Sequence, residues 1–198
     1  IVTDGSRVLG LGNVGPEAAL PVMEGKSILF KLFGKVNAFP LCLATQDPNK
    51  IVDVVKAVAP VFGGINIEDI DAPQVFDIVE RLDRELDIPV FHDDQHGTGV
   101  VALAALKNAM KVVGKDTRDI RVSIAGAGAA GYGITKILLK TGLRDIIVTD
   151  SKGIIFEGRR ENMNRYKREL AKMTNRENAS GSLADAIRTL SLISFDTW

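Results

Sequence analysis

The stretch Val122-Ser123-Ile124-Ala125-Gly126-Ala127-Gly128-Ala129-Ala130-Gly131 decides the fold class. An apolar strand runs into G-x-G-x-x-G, and a helical segment, Ala130 to Lys140, follows. The glycine pattern alone is common. Its context is that of a dinucleotide-binding fingerprint, with a strand before, a helix after and a second strand beyond. That second strand, Asp145 to Thr149, leads to Asp150, close to the ~20-residue spacing of a ribose-reading acid. The glycines let backbone approach a pyrophosphate at a helix N-terminus. Gly126, Ala127, Gly128, Ala129, Ala130, Gly131 and Asp150 are therefore the predicted cofactor contacts. A carboxylate at Asp150 repels a 2′-phosphate, which favours NAD. Lys152 nearby leaves NADP open.

The same alternation extends upstream. Strand-like runs are Arg7 to Leu11, Ala38 to Leu43, Gly64 to Ile67 and Pro89 to Phe91. Helical stretches lie between them: Glu17 to Phe33, with Pro21 and Gly25 as points of division; Pro48 to Val61; and Ala72 onward. Ile51, Val54, Val55 and Val58 recur at i, i+3, i+4 and i+7, one buried face. Thr98 to Val113, Asn164 to Met173 and Leu183 to Leu190 also read as helices. Repeated β-α-β units predict an α/β protein with mostly parallel sheets. The polar segment Gly114 to Asp119 divides the chain into residues 1–114 and a Rossmann-type unit, 115–198.

Parallel sheets collect function at the carboxyl ends of strands. Two acid pairs sit there, Glu68-Asp69 and Asp93-Asp94. Such concentrated negative charge suits a hard divalent cation, Mg²⁺ or Mn²⁺. The competing reading is helix capping, by Asp69 or Asp71 before Ala72 and by Asp94 before Gln95. His92 and His96 have no cysteine cluster to join and read as supporting or surface residues. Gly10-Leu11-Gly12-Asn13-Val14-Gly15 repeats the glycine pattern, but no acid follows the next strand. It reads either as a loop closing on a ligand or as a tight turn. Lys26, within the apolar segment Met23 to Phe30, is a candidate for a lowered pKa and base chemistry.

Taken in order, Thr3 to Gly15, Glu24-Gly25-Lys26, Asn66-Ile67-Glu68-Asp69, Phe91 to Thr98 and Gly126 to Gly131 resemble a small bacterial-type malic enzyme. The resemblance covers about residues 1 to 188. It implies oxidative decarboxylation of malate to pyruvate and CO₂, with NAD or NADP and Mn²⁺ or Mg²⁺. It implies Glu68, Asp69 and Asp94 as metal ligands, Lys26 as general base and Asp93 beside it. It implies Arg7 on a malate carboxylate, and Gly10, Gly12, Asn13 and Gly15 against cofactor or substrate. It also implies a homodimer. The family's proton-donating tyrosine lies upstream of the first motif, whereas the only tyrosines here are Tyr132 and Tyr166. After Ala186-Ile187 the sequence departs from the family pattern. The expectation is a piece of a longer enzyme, lacking the start of its first domain and the end of its second, and weak or inactive alone. Two other readings stay open: a non-catalytic nucleotide-binding module, and a metal-dependent 2-hydroxy-acid dehydrogenase that does not decarboxylate.

Composition narrows the partners. The 198 residues carry 25 basic and 25 acidic side chains, a net charge of zero. That removes the overall drive toward nucleic acid or anionic membrane. No apolar run approaches the ~20 residues of a membrane span. The single cysteine, Cys42, favours a reducing compartment. A cytoplasmic location is expected, with an upstream targeting peptide left open.

Overall fold

Strand β1 is Val2–Thr3, only two residues long, yet it sits inside a four-stranded parallel sheet. The order is β2-β1-β3-β4, with β2 at Leu41–Cys42, β3 at Ile65–Ile67 and β4 at Val90–His92. This is a computed structural model; it describes residues 1–188 and the backbone of 194–196. The chain divides into two compact units, Ile1–Asp93 and the residues from Asp94 onward.

In the first unit, helix α1 (Gly15–Leu29) connects β1 to β2. Helix α2 (Pro48–Val58) then carries the chain back past β1 to β3. Helix α3 (Gln74–Glu85) leads to β4. The strand order therefore reverses at β1 and β3, and the crevice of such a sheet opens at their carboxyl ends. The predicted face of α2 forms only in part: Ile51 and Val55 are buried, but Val54 is exposed and Val58 half-buried, and Val52 is buried instead, where α2 packs against α3. Asp47 caps α2 by accepting the Asn49 N–H at 2.9 Å.

Two sequence expectations change here. Pro21 and Gly25 do not divide α1. Pro21 lacks one N–H, but Ala19 and Met23 are fully buried on either side and hold the helix. Arg7 to Leu11 is not a strand. Val8 and Gly12 exchange N–H···O bonds of 3.0 and 2.8 Å, which closes a tight turn. Leu9 and Leu11, whose apolar character suggested a strand, point to solvent.

The second unit is a sheet of order β7-β6-β5-β8. Its strands are β5 (Arg121–Ala125), β6 (Asp145–Asp150), β7 (Gly153–Ile154) and β8 (Ser194–Asp196). Both neighbours of β5 run parallel to it, and β7 is antiparallel to β6. Helix α5 (Ala129–Leu139) joins β5 to β6, and α4 (Thr98–Val113) packs along α5. Helices α6 (Arg165–Met173) and α7 (Leu183–Arg188) follow. The helix expected over Leu183 to Leu190 is α7; residues 189 and 190 lie outside the described residues. β5 starts the crossover to β6 on one side and pairs with β8 on the other. The carboxyl end of β5 is thus a switch point.

Asp4 follows β1 and is fully buried. Its Oδ1 accepts the Ser6 N–H at 2.9 Å, while Oδ2 is buried without a partner. Burial, the largest influence, pushes its carboxyl above the ordinary range. A carboxyl raised on folding stabilises below its unfolded pKa, and that contribution is lost as pH rises through the folded value. Asp4→Asn keeps the oxygen acceptor and removes the charge. Its melting temperature is expected to exceed that of the parent by roughly 2–4 °C at pH 8, the effect of about 1 kcal/mol at this size. The difference should vanish near pH 4. Calorimetry at the two pH values checks this; an equal difference at both would discount ionisation.

Candidate active site

The switch point of the first sheet places the acids. Val2 is in register with Ile67, and the Glu68 N–H donates to the Val2 carbonyl at 2.9 Å. Glu68 and Asp69 are buried at the end of β3, and Asp93 follows β4. Lys26 of α1 reaches across to them. Its Nζ donates to Asp93 Oδ2 at 2.5 Å and to Glu68 Oε1 at 3.1 Å. Asn66 Nδ2 donates to the other Glu68 oxygen at 2.8 Å.

Asp94 is peptide-bonded to Asp93, so the end of β4 sets its place. Glu68, Asp69 and Asp94 each offer a carboxylate oxygen, all within 4.8 Å of one another. Three close hard-oxygen donors fit Mg²⁺ or Mn²⁺ and do not resemble a zinc set. α3 begins from Pro73 and α4 from Gly97, neither with a side-chain cap. Asp69 also holds a left-handed backbone (φ 51°), a conformation costing on the order of 1–3 kcal/mol. Its carbonyl accepts the Arg7 N–H at 3.0 Å, which ties the Arg7 loop to the acids. The Arg7 side chain is exposed, 3.9 Å from Asp71.

The electrostatics correct one expectation. Burial does act to lower the Lys26 pKa. The hydrogen bond to Asp93 and the charge of Glu68 outweigh it, so the ammonium is held above its usual range. Burial raises the Glu68 carboxyl, and Asp93 adds to that; Asn66 and Lys26 oppose it only in part. His92 is fully buried on β4 rather than at the surface.

The first glycine loop is pinned by packing. Val14 and Gly15 donate to the Gly5 carbonyl at 3.0 and 3.2 Å. A Cβ on Gly5 would lie 2.3 Å from the Gly15 oxygen. Asn13 and Gln46 exchange side-chain amide hydrogen bonds of 3.3 and 3.0 Å.

In the second unit, Gly126 to Gly131 forms the turn between β5 and α5. A Cβ on Gly131 would sit 1.9 Å from the Gly126 carbonyl oxygen, whereas one on Gly128 would meet nothing within 4 Å. α5 starts without a side-chain cap. Asp150 ends β6, as its spacing predicts. Its carboxylate accepts from both terminal nitrogens of Arg159, from Lys167 Nζ at 2.7 Å and from Asn162 at 3.2 Å. Burial opposes its ionisation, but the Arg159 and Lys167 hydrogen bonds prevail and hold its pKa at about 2.

Both units match known domain families. Residues 1–83 match the malic enzyme N-terminal domain, and residues 95–192 match the malic enzyme NAD-binding domain. The chain belongs to the malic enzyme family. It is 58% identical over 187 residues to a bifunctional malic/malolactic enzyme of Bacillus subtilis, covering 94% of this chain and 46% of that protein. It is 57% identical to an NAD-dependent malic enzyme of Geobacillus stearothermophilus, covering 94% and 39%. A crystal structure of an NAD-dependent malic enzyme from Thermotoga maritima superposes with a TM-score of 0.92 at 49% identity, covering 99% of this chain and 54% of that one. The chain thus spans less than half the length of these two curated relatives. Among relatives of malic enzyme name, both NAD-dependent and NADP-dependent proteins occur. No helix among the described residues is long and apolar enough to cross a membrane.

Sequence reasoning missed Asn66, Arg159 and Lys167. Asn66 was within reach, because strand alternation puts residues i and i+2 on one face and so places it behind Glu68. Arg159 reaches Asp150 from an irregular loop and Lys167 from α6 beyond it, a pairing for which no spacing rule exists.

Proposed function

We propose that the protein oxidatively decarboxylates malate to pyruvate and CO₂ while reducing NAD⁺, with NADP⁺ also accepted. The observation that carries this reading is Lys26 hydrogen-bonded to Glu68 and Asp93 at the switch point, beside the Glu68, Asp69 and Asp94 oxygens. Glu68, Asp69 and Asp94 would hold Mn²⁺ or Mg²⁺, which supplies charge stabilisation for a developing oxyanion. Lys26 is the residue that moves the malate hydroxyl proton. At rest it is an ammonium, so base chemistry requires that it first release a proton. Asp93 holds the Lys26 Nζ in place. Arg7, exposed and tethered through its N–H, is offered to a substrate carboxylate. Gly10, Gly12, Asn13 and Gly15 line the same end of the sheet and bear on ligand.

The functional division is residues 1–114 for substrate and metal and residues 115–198 for nucleotide. The Gly126–Gly131 backbone takes the pyrophosphate, and Asp150 reads the ribose. Two cations on Asp150, against one carboxylate, leave its surroundings net positive, which tolerates a 2′-phosphate as well as a hydroxyl. A homodimer and a cytoplasmic location complete the proposal.

The test is NADH formation by the purified chain. Turnover is expected to be slow, because the chain spans less than half the length of its curated relatives. It should require both malate and Mn²⁺ and yield pyruvate. NADH without CO₂ would indicate a simple dehydrogenase. Nucleotide binding that neither malate nor Mn²⁺ alters, with no NADH formed, would indicate a binding module and overturn the proposal.

A further inference from the structure

Asn66 lies in the middle of β3, between the buried residues Ile65 and Ile67. Asparagine is depleted in strands, and a buried amide is costly unless its polar atoms are matched. Asn66 is 8% exposed, and its Oδ1 is buried without a partner. Its side chain donates from Nδ2 to Glu68 Oε2 at 2.8 Å. The opposite amide orientation would set oxygen against carboxylate oxygen. An apolar residue would serve the sheet better at this position.

The bond has a specific consequence for Glu68. The terminal torsion of a glutamate is broad and roughly two-fold. Left alone, the carboxylate plane would swing. Asn66 holds Oε2 from the same strand and the same face, two residues back. Lys26 holds Oε1, but from a long side chain on another element. Asn66 is the short, buried, fixed partner of the two.

We propose that Asn66 is a positioning residue: it fixes the rotation of the Glu68 carboxylate and thereby sets the oxygen that Glu68 presents to a divalent cation. This rests on the metal-binding reading above. Partners of ligating carboxylates are typically worth ~10–100-fold in metal affinity.

The experiment measures Mn²⁺ binding to the 198-residue chain by the paramagnetic resonance signal of free Mn²⁺, alongside thermal melting without metal. Asn66→Leu should weaken Mn²⁺ binding by about 10–100-fold. Its melting temperature should equal or exceed that of the parent, because the unmatched amide is gone. Asn66→Gln keeps the donor and should recover part of the affinity. If the leucine variant does not fold, Asn66→Ser, whose hydroxyl is too short to reach Glu68, takes its place. Unchanged Mn²⁺ affinity in the donor-less variants overturns the positioning role while leaving the metal site intact. Lowered melting in every variant, with no recovery by glutamine, makes Asn66 merely structural and overturns it too. Failure of the parent chain to bind Mn²⁺ removes the metal-binding reading itself, and the inference with it.

Discussion

Lys26→Ala is expected to lower turnover by ~10²–10⁴ while leaving the KM for malate nearly unchanged, because a proton-transfer group acts in the transition state. The structure supplies the reason for so large an effect. Lys26 is the cation bridging Asp93 and Glu68, and both are held at hydrogen-bonding distance. Alanine removes the proton carrier and leaves two carboxylates facing each other. A second signature follows from Glu68. Burial already raises its pKa in the parent, and losing the ammonium raises it further. A raised carboxyl stabilises below its unfolded pKa, and that contribution is lost as pH rises through the folded value. The metal-free variant should therefore lose stability relative to the parent as pH rises through the Glu68 range. Steady-state kinetics and melting curves across pH check the two effects. A change confined to KM would reject proton transfer by Lys26.

Much of this site could be read before the fold was known, and the physical reason is locality. Glu68, Asp69, Asp93 and Asp94 stand directly after apolar strands, and chain order alone assigns them to a sheet edge. The Gly126 to Gly131 turn is likewise local, since six consecutive residues contain the whole device. The misreadings arose where tertiary packing overrides local pattern. Leu9 and Leu11 carry strand-like character, yet three glycines of positive φ, Gly10, Gly12 and Gly15, bend that segment into a turn. Lys26 looked destined for a lowered pKa because its sequence neighbours are apolar. Its spatial neighbours, 42 and 67 residues away, are acids. Strand β7 escaped notice because two residues carry no period. The Asp150 cluster needed Arg159 and Lys167 to arrive from a loop and from α6.

Gly131→Ala is expected to cost about 3 kcal/mol or more, at or beyond the upper end for overpacking. Most collisions in a core are relieved by rotating a side chain. Here the added Cβ would stand 1.9 Å from the Gly126 carbonyl oxygen, which is backbone, so the turn itself must open. Opening it moves Gly126, whose N–H is bound to the Thr149 carbonyl at 2.9 Å, and so pulls on the β5–β6 pairing. Melting should fall by about 6–12 °C, at roughly 2–4 °C per kcal/mol for a chain of this size. Gly128→Ala is the informative contrast. Its φ of −85° suits alanine and its Cβ would meet nothing within 4 Å, so melting should hardly change. That open space lies where a pyrophosphate would approach, and a methyl group there should weaken NAD⁺ binding. Calorimetric titration with NAD⁺ and melting of both variants separate the two glycines. Gly131 would be lost to the fold and Gly128 to the ligand. Unaltered NAD⁺ affinity in a folded Gly128→Ala chain would reject pyrophosphate binding at this turn, while leaving the steric account of Gly131 standing.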